Sequence, residues 1–304
     1  MTTAVQAREG HVDVIGGRIW YRIVGDTDAT PLVTVHGGPG ATHDYLEPLQ
    51  ALADERPVVF YDQLGAGHSD VPDDISLWTN DRLVDELARL LDALGLDRVH
   101  LLGQSWGTII AAEYALARPE RLASVVLSDP CLSMPRYAAG CAVLRAALPA
   151  HPRAIFDRHE AAGTLDAEEY QAAYMEYFFR RHVCRLEHPP AAAIYTLTHI
   201  NQIIYERMLG PNEMRISGIH KDYDLTDRLG QLSVPALFVC GRHGSTRPED
   251  TAWYHSLAPG AELVVFEHSS HLPHLEEPEP YLQALRDFMR RAERTPEPAS
   301  PAMP

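Results

Sequence analysis

Ser105 stands at the centre of Gly103-Gln104-Ser105-Trp106-Gly107. A serine with glycines two positions to either side fits a nucleophile elbow, a tight turn from a strand into a helix that leaves the hydroxyl exposed. The turn strains the backbone at the serine, and a side chain at 103 or 107 would collide with it. Such a hydroxyl can attack a carbonyl carbon, and a helix N-terminus beneath it favours the negative charge that develops. His36-Gly37-Gly38-Pro39-Gly40 could serve the same chemistry. Its glycines let the backbone approach a ligand closely and turn N–H groups toward the serine as a second oxyanion donor.

The elements that must hold these groups are legible around them. Arg98 to Leu102 reads as a short buried strand and Thr108 to Ala117 as an apolar helix stopped by Pro119. Upstream, His11 to Ile15 and Arg18 to Val24 flank Gly16-Gly17, a hairpin signal, and Leu32 to Val35 and Val58 to Tyr61 are further strands. A helix follows from about Asp81 to Leu94, with Leu83, Leu87, Leu90, Leu91 and Leu94 on one face and Gly95 as its stop. Leu122 to Ser128 is a strand ending at Asp129-Pro130. The alternation resumes with a strand over Pro235 to Cys240, a helix around Glu249 to Leu257, a strand over Glu262 to Glu267, and a last helix from near Pro280 to Arg294. Strands and helices alternating at this spacing predict an α/β protein with a mostly parallel, eight-stranded sheet covered on both faces.

Between Cys131 and Leu232 the strand signals fade. Asp166-Ala167-Glu168-Glu169 resembles a capping box, and Tyr170, Tyr174, Tyr177 and Phe178 then recur on one helical face. The expected organisation is a core of residues 1–130 and 233–294, with 131–232 inserted as a helical cap. The cap would lie over the strand ends and line a pocket with part of this aromatic surface. The tail 295–304, rich in proline and small residues, reads as disordered.

Composition narrows the chemistry. The chain has 304 residues and a formal charge of -16, with Lys221 its one lysine, so a concentrated basic surface for nucleic acid is excluded. No apolar run reaches the ~18 residues of a membrane span, and the start lacks a basic-then-apolar signal. Cys131, Cys141, Cys184 and Cys240 are widely spaced and read as free buried thiols, the pattern of a cytoplasmic protein. No metal or organic cofactor is expected, and nothing fixes the oligomeric state.

Taken as a set, His36-Gly37-Gly38-Pro39-Gly40, Asp62-Gln63-Leu64-Gly65-Ala66-Gly67-His68-Ser69, Gly103-Gln104-Ser105-Trp106-Gly107-Thr108 and Ser270-His271 resemble the α/β-hydrolase superfamily. They are most similar to its proline iminopeptidase family, over residues 10–293. Gly210-Pro211-Asn212-Glu213 also looks like the cap of that family's tricorn-interacting aminopeptidases. The resemblance implies an α/β-hydrolase fold and a hydrolase releasing an N-terminal residue, often proline, from small peptides or amino-acid amides. By the same likeness Ser105 is the nucleophile and His271 the general base and later acid. Trp106 and either Gly37 or Gly38 supply the oxyanion N–H groups.

The departure lies in the acid. The family's aspartate ends the loop after the seventh strand, which here reads Gly241-Arg242-His243-Gly244. With glycine at 244, nothing from that loop fixes the tautomer of His271, a loss of about 10⁴-fold in other serine hydrolases. A single-codon change from aspartate accounts for the gap, so the leading expectation is an inactivated form with Gly244 as a vacant acid position. Two alternatives stand beside it: Asp129 as a relocated acid, and a natural variant that catalyses weakly or only binds ligand. The glutamate that often follows the acid is Ser245 here, a substrate-binding candidate beside Glu213, which is left as the single carboxylate for a substrate amine. A tailoring hydrolase or acyltransferase acting on a secondary-metabolite ester or amide is the other enzymatic reading.

Overall fold

The structure, a computed structural model, describes residues 6–294; the tail segment 295–304 lies outside the described residues. Strand β1 (Ala7–Val14) pairs antiparallel with β2 (Gly17–Val24). Because Val14 faces Gly17, the turn residues are Ile15 and Gly16, one position earlier than the sequence suggests. Gly16, at φ +100°, supplies the left-handed residue this turn needs, while Gly17 already belongs to the ladder.

The strands β3 (Leu32–Val35), β4 (Val58–Tyr61), β5 (Val99–Gln104), β6 (Leu122–Ser128), β7 (Ala236–Gly241) and β8 (Glu262–Phe266) complete one sheet in the order β1-β2-β4-β3-β5-β6-β7-β8. The β2–β4 pair is antiparallel, and every pair from β4 to β8 is parallel. In β3, β4, β5, β6 and β7 every residue is buried, the continuous apolar run of strands covered on both faces. Helices α1 (Asn80–Ala93) and α2 (Gly107–Ala117) follow β4 and β5. Thr79 caps α1 by accepting from Arg82 N–H.

Between β6 and β7 run α3 (Met134–Ala146), α4 (Ala150–Ala162), α5 (Glu168–Tyr174), α6 (Ala191–Thr198), α7 (Gln202–Met208) and a 3₁₀ turn, Thr226–Gln231. A π-helical turn, Met175–Val183, continues directly from α5. The capping box expected here does not form: Ala167 precedes the first turn, and no side chain caps it among the described residues. The helices α8 (Pro248–Ser256), α9 (Pro273–Glu276) and α10 (Pro278–Arg294) complete the chain that is described. All four cysteines are free and buried, and among the described residues no helix is long and apolar enough to cross a membrane.

The Asp62 motif proves to be a buried clasp. Its carboxylate accepts from His43 N–H, His43 Nδ1 and His68 N–H at 2.8–2.9 Å. Gly67 is required because a Cβ there would fall 2.1 Å from Asp62 Oδ2. Burial disfavours the charge on Asp62, but the bonds from His43 and its positive charge prevail and hold the carboxyl below its usual range. The sign follows: this contribution to stability is fully present above the ordinary aspartate range near pH ~3.9 and is lost as pH falls through the lower folded value. Asp62→Ala, which leaves a buried imidazole unpaired, is expected to destabilise by about 3–5 kcal/mol in urea unfolding at pH 7, and by less near pH 3.

Candidate active site

Ser105 sits between β5 and α2 at φ +52°, in the left-handed region that disfavours side chains. The flanking glycines make that turn possible. A Cβ at Gly103 would lie 2.4 Å from Gly107 O, and one at Gly107 would lie 2.2 Å from Val35 O. Ser105 N–H donates to Ser128 O at 2.8 Å, and Thr108 Oγ1 donates to Ser105 O at 2.6 Å. The elbow is thus locked from both sides, and the hydroxyl is half-buried at the C-terminal edge of the sheet, where open α/β sheets bind ligands.

His271 reaches this hydroxyl from the loop after β8, with Nε2 2.7 Å from Ser105 Oγ. The two residues are 166 positions apart in the chain, so the fold must bring them together. The loop is fixed by carboxylates that no sequence signal announced. Glu276 accepts from Ser270 N–H at 2.9 Å, and Glu277 accepts from His268 N–H at 3.0 Å and from Ser269 Oγ at 2.5 Å. Gln104 Nε2 donates to His271 O at 2.9 Å, tying the loop to the elbow. Burial drives the His271 imidazole down to about 4, which keeps Nε2 free to accept a proton at neutral pH.

Position 244 is glycine, and the carboxyl group that faces the imidazole belongs to Asp129. Asp129 Oδ1 lies 3.8 Å from His271 Nδ1, and Asp129 is fully buried. No hydrogen bond joins the two groups among the described residues, and His271 Nδ1 is buried without a partner. A Cβ on Gly244 would stand 3.3 Å from that same Oδ1. Burial pushes the Asp129 carboxyl well up, opposed by a bond from Gly241 N–H.

The glycine-rich loop also differs from the simplest expectation. Gly37 N–H donates to Tyr45 Oη at 2.6 Å, and Tyr45 Oη in turn donates to Gln104 Oε1 at 2.6 Å. Gly37 is thereby removed as an oxyanion donor and becomes a packing glycine; a Cβ there would lie 2.8 Å from Ser105 Cβ. Gly38, at φ +50°, and Trp106, at the N-terminus of α2, both line the cavity. Tyr45 was missed because it lies in a 3₁₀ stretch, Asp44–Asp54, interrupted by Pro48 and without a clean period.

The cavity above Ser105 has an empty volume of about 830 Å³ including its open mouth. Its wall is mostly apolar, with Met134, Val183, Leu197, Ile200, Leu209 and Leu272 among the side chains. Tyr45, Trp106, Tyr137 and Tyr205 supply its aromatic groups, rather than the stripe expected at 170–178. Tyr170 and Phe178 are packing residues, and Tyr174 acts through Glu213, the cavity's carboxylate, to which it donates. Tyr205 also hydrogen-bonds Glu213. Ser245 does not reach the cavity: it is buried and accepts from Tyr137 Oη at 3.2 Å.

Residues 30–201 match the family described as the alpha/beta hydrolase fold. The chain is similar to the proline iminopeptidase of Heyndrickxia coagulans, 43% identical over 92% of this chain and 98% of that protein. Among solved structures it resembles VinJ, with a TM-score of 0.90 and 38% identity over 94% of this chain and 99% of that one. It also resembles the proline iminopeptidase of Mycobacterium smegmatis, with a TM-score of 0.88 and 35% identity over 94% of this chain and 99% of that one.

Proposed function

Because the chain belongs to the proline iminopeptidase family of α/β-hydrolases, we propose that it cleaves the amide bond after the N-terminal residue of a small peptide or amino-acid amide, through an acyl-enzyme on Ser105. His271 Nε2 takes the Ser105 proton as Oγ attacks the carbonyl carbon, then returns it to the departing amine. Water enters by the same route and releases the acid. The Trp106 and Gly38 N–H groups hold the oxyanion in each tetrahedral intermediate. The helices of 131–232 act as the cap, supplying one wall and Glu213. The observation that carries this reading is the 2.7 Å contact between Ser105 Oγ and His271 Nε2 at the floor of the cavity.

The test is turnover of proline and alanine p-nitroanilides by the chain as it stands. Measurable kcat/KM supports the reading, and the absence of turnover of any aminoacyl amide or ester refutes it in favour of a ligand-binding homologue.

Glu213 is the group that would grip the substrate's α-ammonium, aided by the hydroxyls that already orient it. Glu213→Gln is expected to raise KM for free-amine substrates by roughly 10- to 100-fold, the worth of one partly buried charge pair. An N-blocked ester should be affected less than threefold by the same change. A second reading, hydrolysis of larger apolar amides or esters of the tailoring kind, draws on the single carboxylate in an otherwise apolar wall. It predicts that KM falls as the leaving group grows more apolar.

A further inference from the structure

We propose that Asp129, at the end of β6, is the carboxylate that positions His271, the acid having moved to β6 from position 244 beyond the neighbouring strand β7. The inference rests on the hydrolase reading above and deepens it. Three independent observations carry it.

The first is polar accounting. His271 Nδ1 is buried without a hydrogen-bond partner among the described residues, and the carboxylate oxygen facing it is Asp129 Oδ1 at 3.8 Å. A buried ring nitrogen that must carry a proton when Nε2 accepts one needs an acceptor on this side.

The second is shape. Strands β6 and β7 are paired in parallel, so the residues just beyond their ends approach one point from two sides. The Cβ that Gly244 lacks would stand 3.3 Å from Asp129 Oδ1 and 3.1 Å from Thr246 O. An aspartate at 244 and one at 129 would crowd the same space, and the glycine leaves it to Asp129.

The third is backbone. Asp129 is held at φ +50°, and Ser105 is the other non-glycine residue in the left-handed region among those described. Strain of this kind persists where the surroundings impose it, often at functional sites. A turn-capping role for Asp129 does not account for it. Among the described residues the carboxylate accepts only from Gly241 N–H and Ser128 Oγ, both at 3.4 Å, while Cys131 N–H goes to Thr108 Oγ1.

In the reaction, Nε2 accepts the Ser105 proton and the imidazolium that results directs Nδ1–H at Asp129 Oδ1. The imidazolium offsets the burial that otherwise raises the Asp129 carboxyl, and the ionised carboxylate stabilises that charge without taking the Nδ1 proton. The other ionisable groups that act on it are Glu276, Tyr45, Tyr281, Cys131 and Cys240. None of them is a cation, so the imidazolium of His271 is the positive charge that Asp129 meets.

The test uses the full chain and two readouts, p-nitroanilide turnover and the rate at which a fluorophosphonate labels Ser105. Asp129→Asn is expected to lower kcat by about 10³- to 10⁴-fold with KM changed less than threefold, and to slow labelling by at least about 100-fold. Asp129→Gly combined with Gly244→Asp returns the carboxylate to the other strand, and should label at least about tenfold faster than Asp129→Gly. Rescue across strands is a result that a merely structural residue would not give. Labelling of Asp129→Asn within tenfold of the parent overturns the proposal. So does an unrepaired loss in an exchange variant whose melting temperature matches the parent's. If an exchange variant fails to fold, Asp129→Asn, which keeps shape and volume, decides. If the parent labels rapidly but cleaves no amide or ester, the hydrolytic reading fails while the labelling series still judges Asp129.

Discussion

Replacing Ser105 with alanine should lower kcat by on the order of 10⁶-fold while leaving the fold intact, because removal of a triad nucleophile costs about as much as removal of the whole triad. The hydroxyl pairs with His271 Nε2 and also hydrogen-bonds the Cys131 thiol, whereas the backbone bonds that lock the elbow use Ser105 N–H and O. Alanine inherits the same φ of +52° with a side chain of similar width, so the strain is unchanged. Thermal melts of parent and variant are therefore expected to agree within about 2–4 °C, or ~1 kcal/mol. A variant that retains more than a thousandth of the parent rate after purification from trace contaminants would show that Ser105 does not carry the acyl group.

Gly241→Ala should be the most damaging conservative change near the site. A Cβ there would lie 1.9 Å from Ser270 O and 2.6 Å from Ser269 O, both backbone atoms of the loop that carries His271. No rotamer relieves a clash between backbone and Cβ, so β7 and the loop must separate. The bond from Gly241 N–H to Asp129 would be disturbed as well. Overpacking of this severity costs roughly 3 kcal/mol or more. A displacement of His271 of about 1 Å costs about 10²-fold in rate. Urea unfolding and kcat/KM measured on one preparation would check both. A stable, fully active Gly241→Ala protein would mean that the loop can yield.

Much of the fold could be read from the sequence because buried parallel strands are continuous apolar runs; β3, β4 and β6 fall where Leu32, Val58 and Leu122 open such runs. The nucleophile was legible from glycines whose need is local. The base could be named only through chain order and family likeness, since the sequence contains 16 histidines. What escaped was whatever depends on distance across the fold. Gly37 looked like an oxyanion donor until Tyr45, eight residues on, took its N–H. Ser245 looked like a substrate contact until its hydroxyl was found buried against Tyr137. That Asp129 lies 3.8 Å from His271 Nδ1 depends on the pairing of two strands and could not be measured from the sequence around Gly244.

The mounting of α6 and α7 bears on what can enter. Thr196 Oγ1 accepts from Tyr45 N–H at 3.2 Å and exchanges a 2.9 Å hydrogen bond with Thr42, while Asn201 N–H donates to Gly40 O at 2.8 Å and its amide to Gly65 O at 2.9 Å. Both helices are thus riveted to the loops that frame Ser105. On the proposed reading, a doorway with fixed jambs would act as a gauge, sorting molecules by girth before any polar group is tested and turning away a folded polypeptide however suitable its first residue.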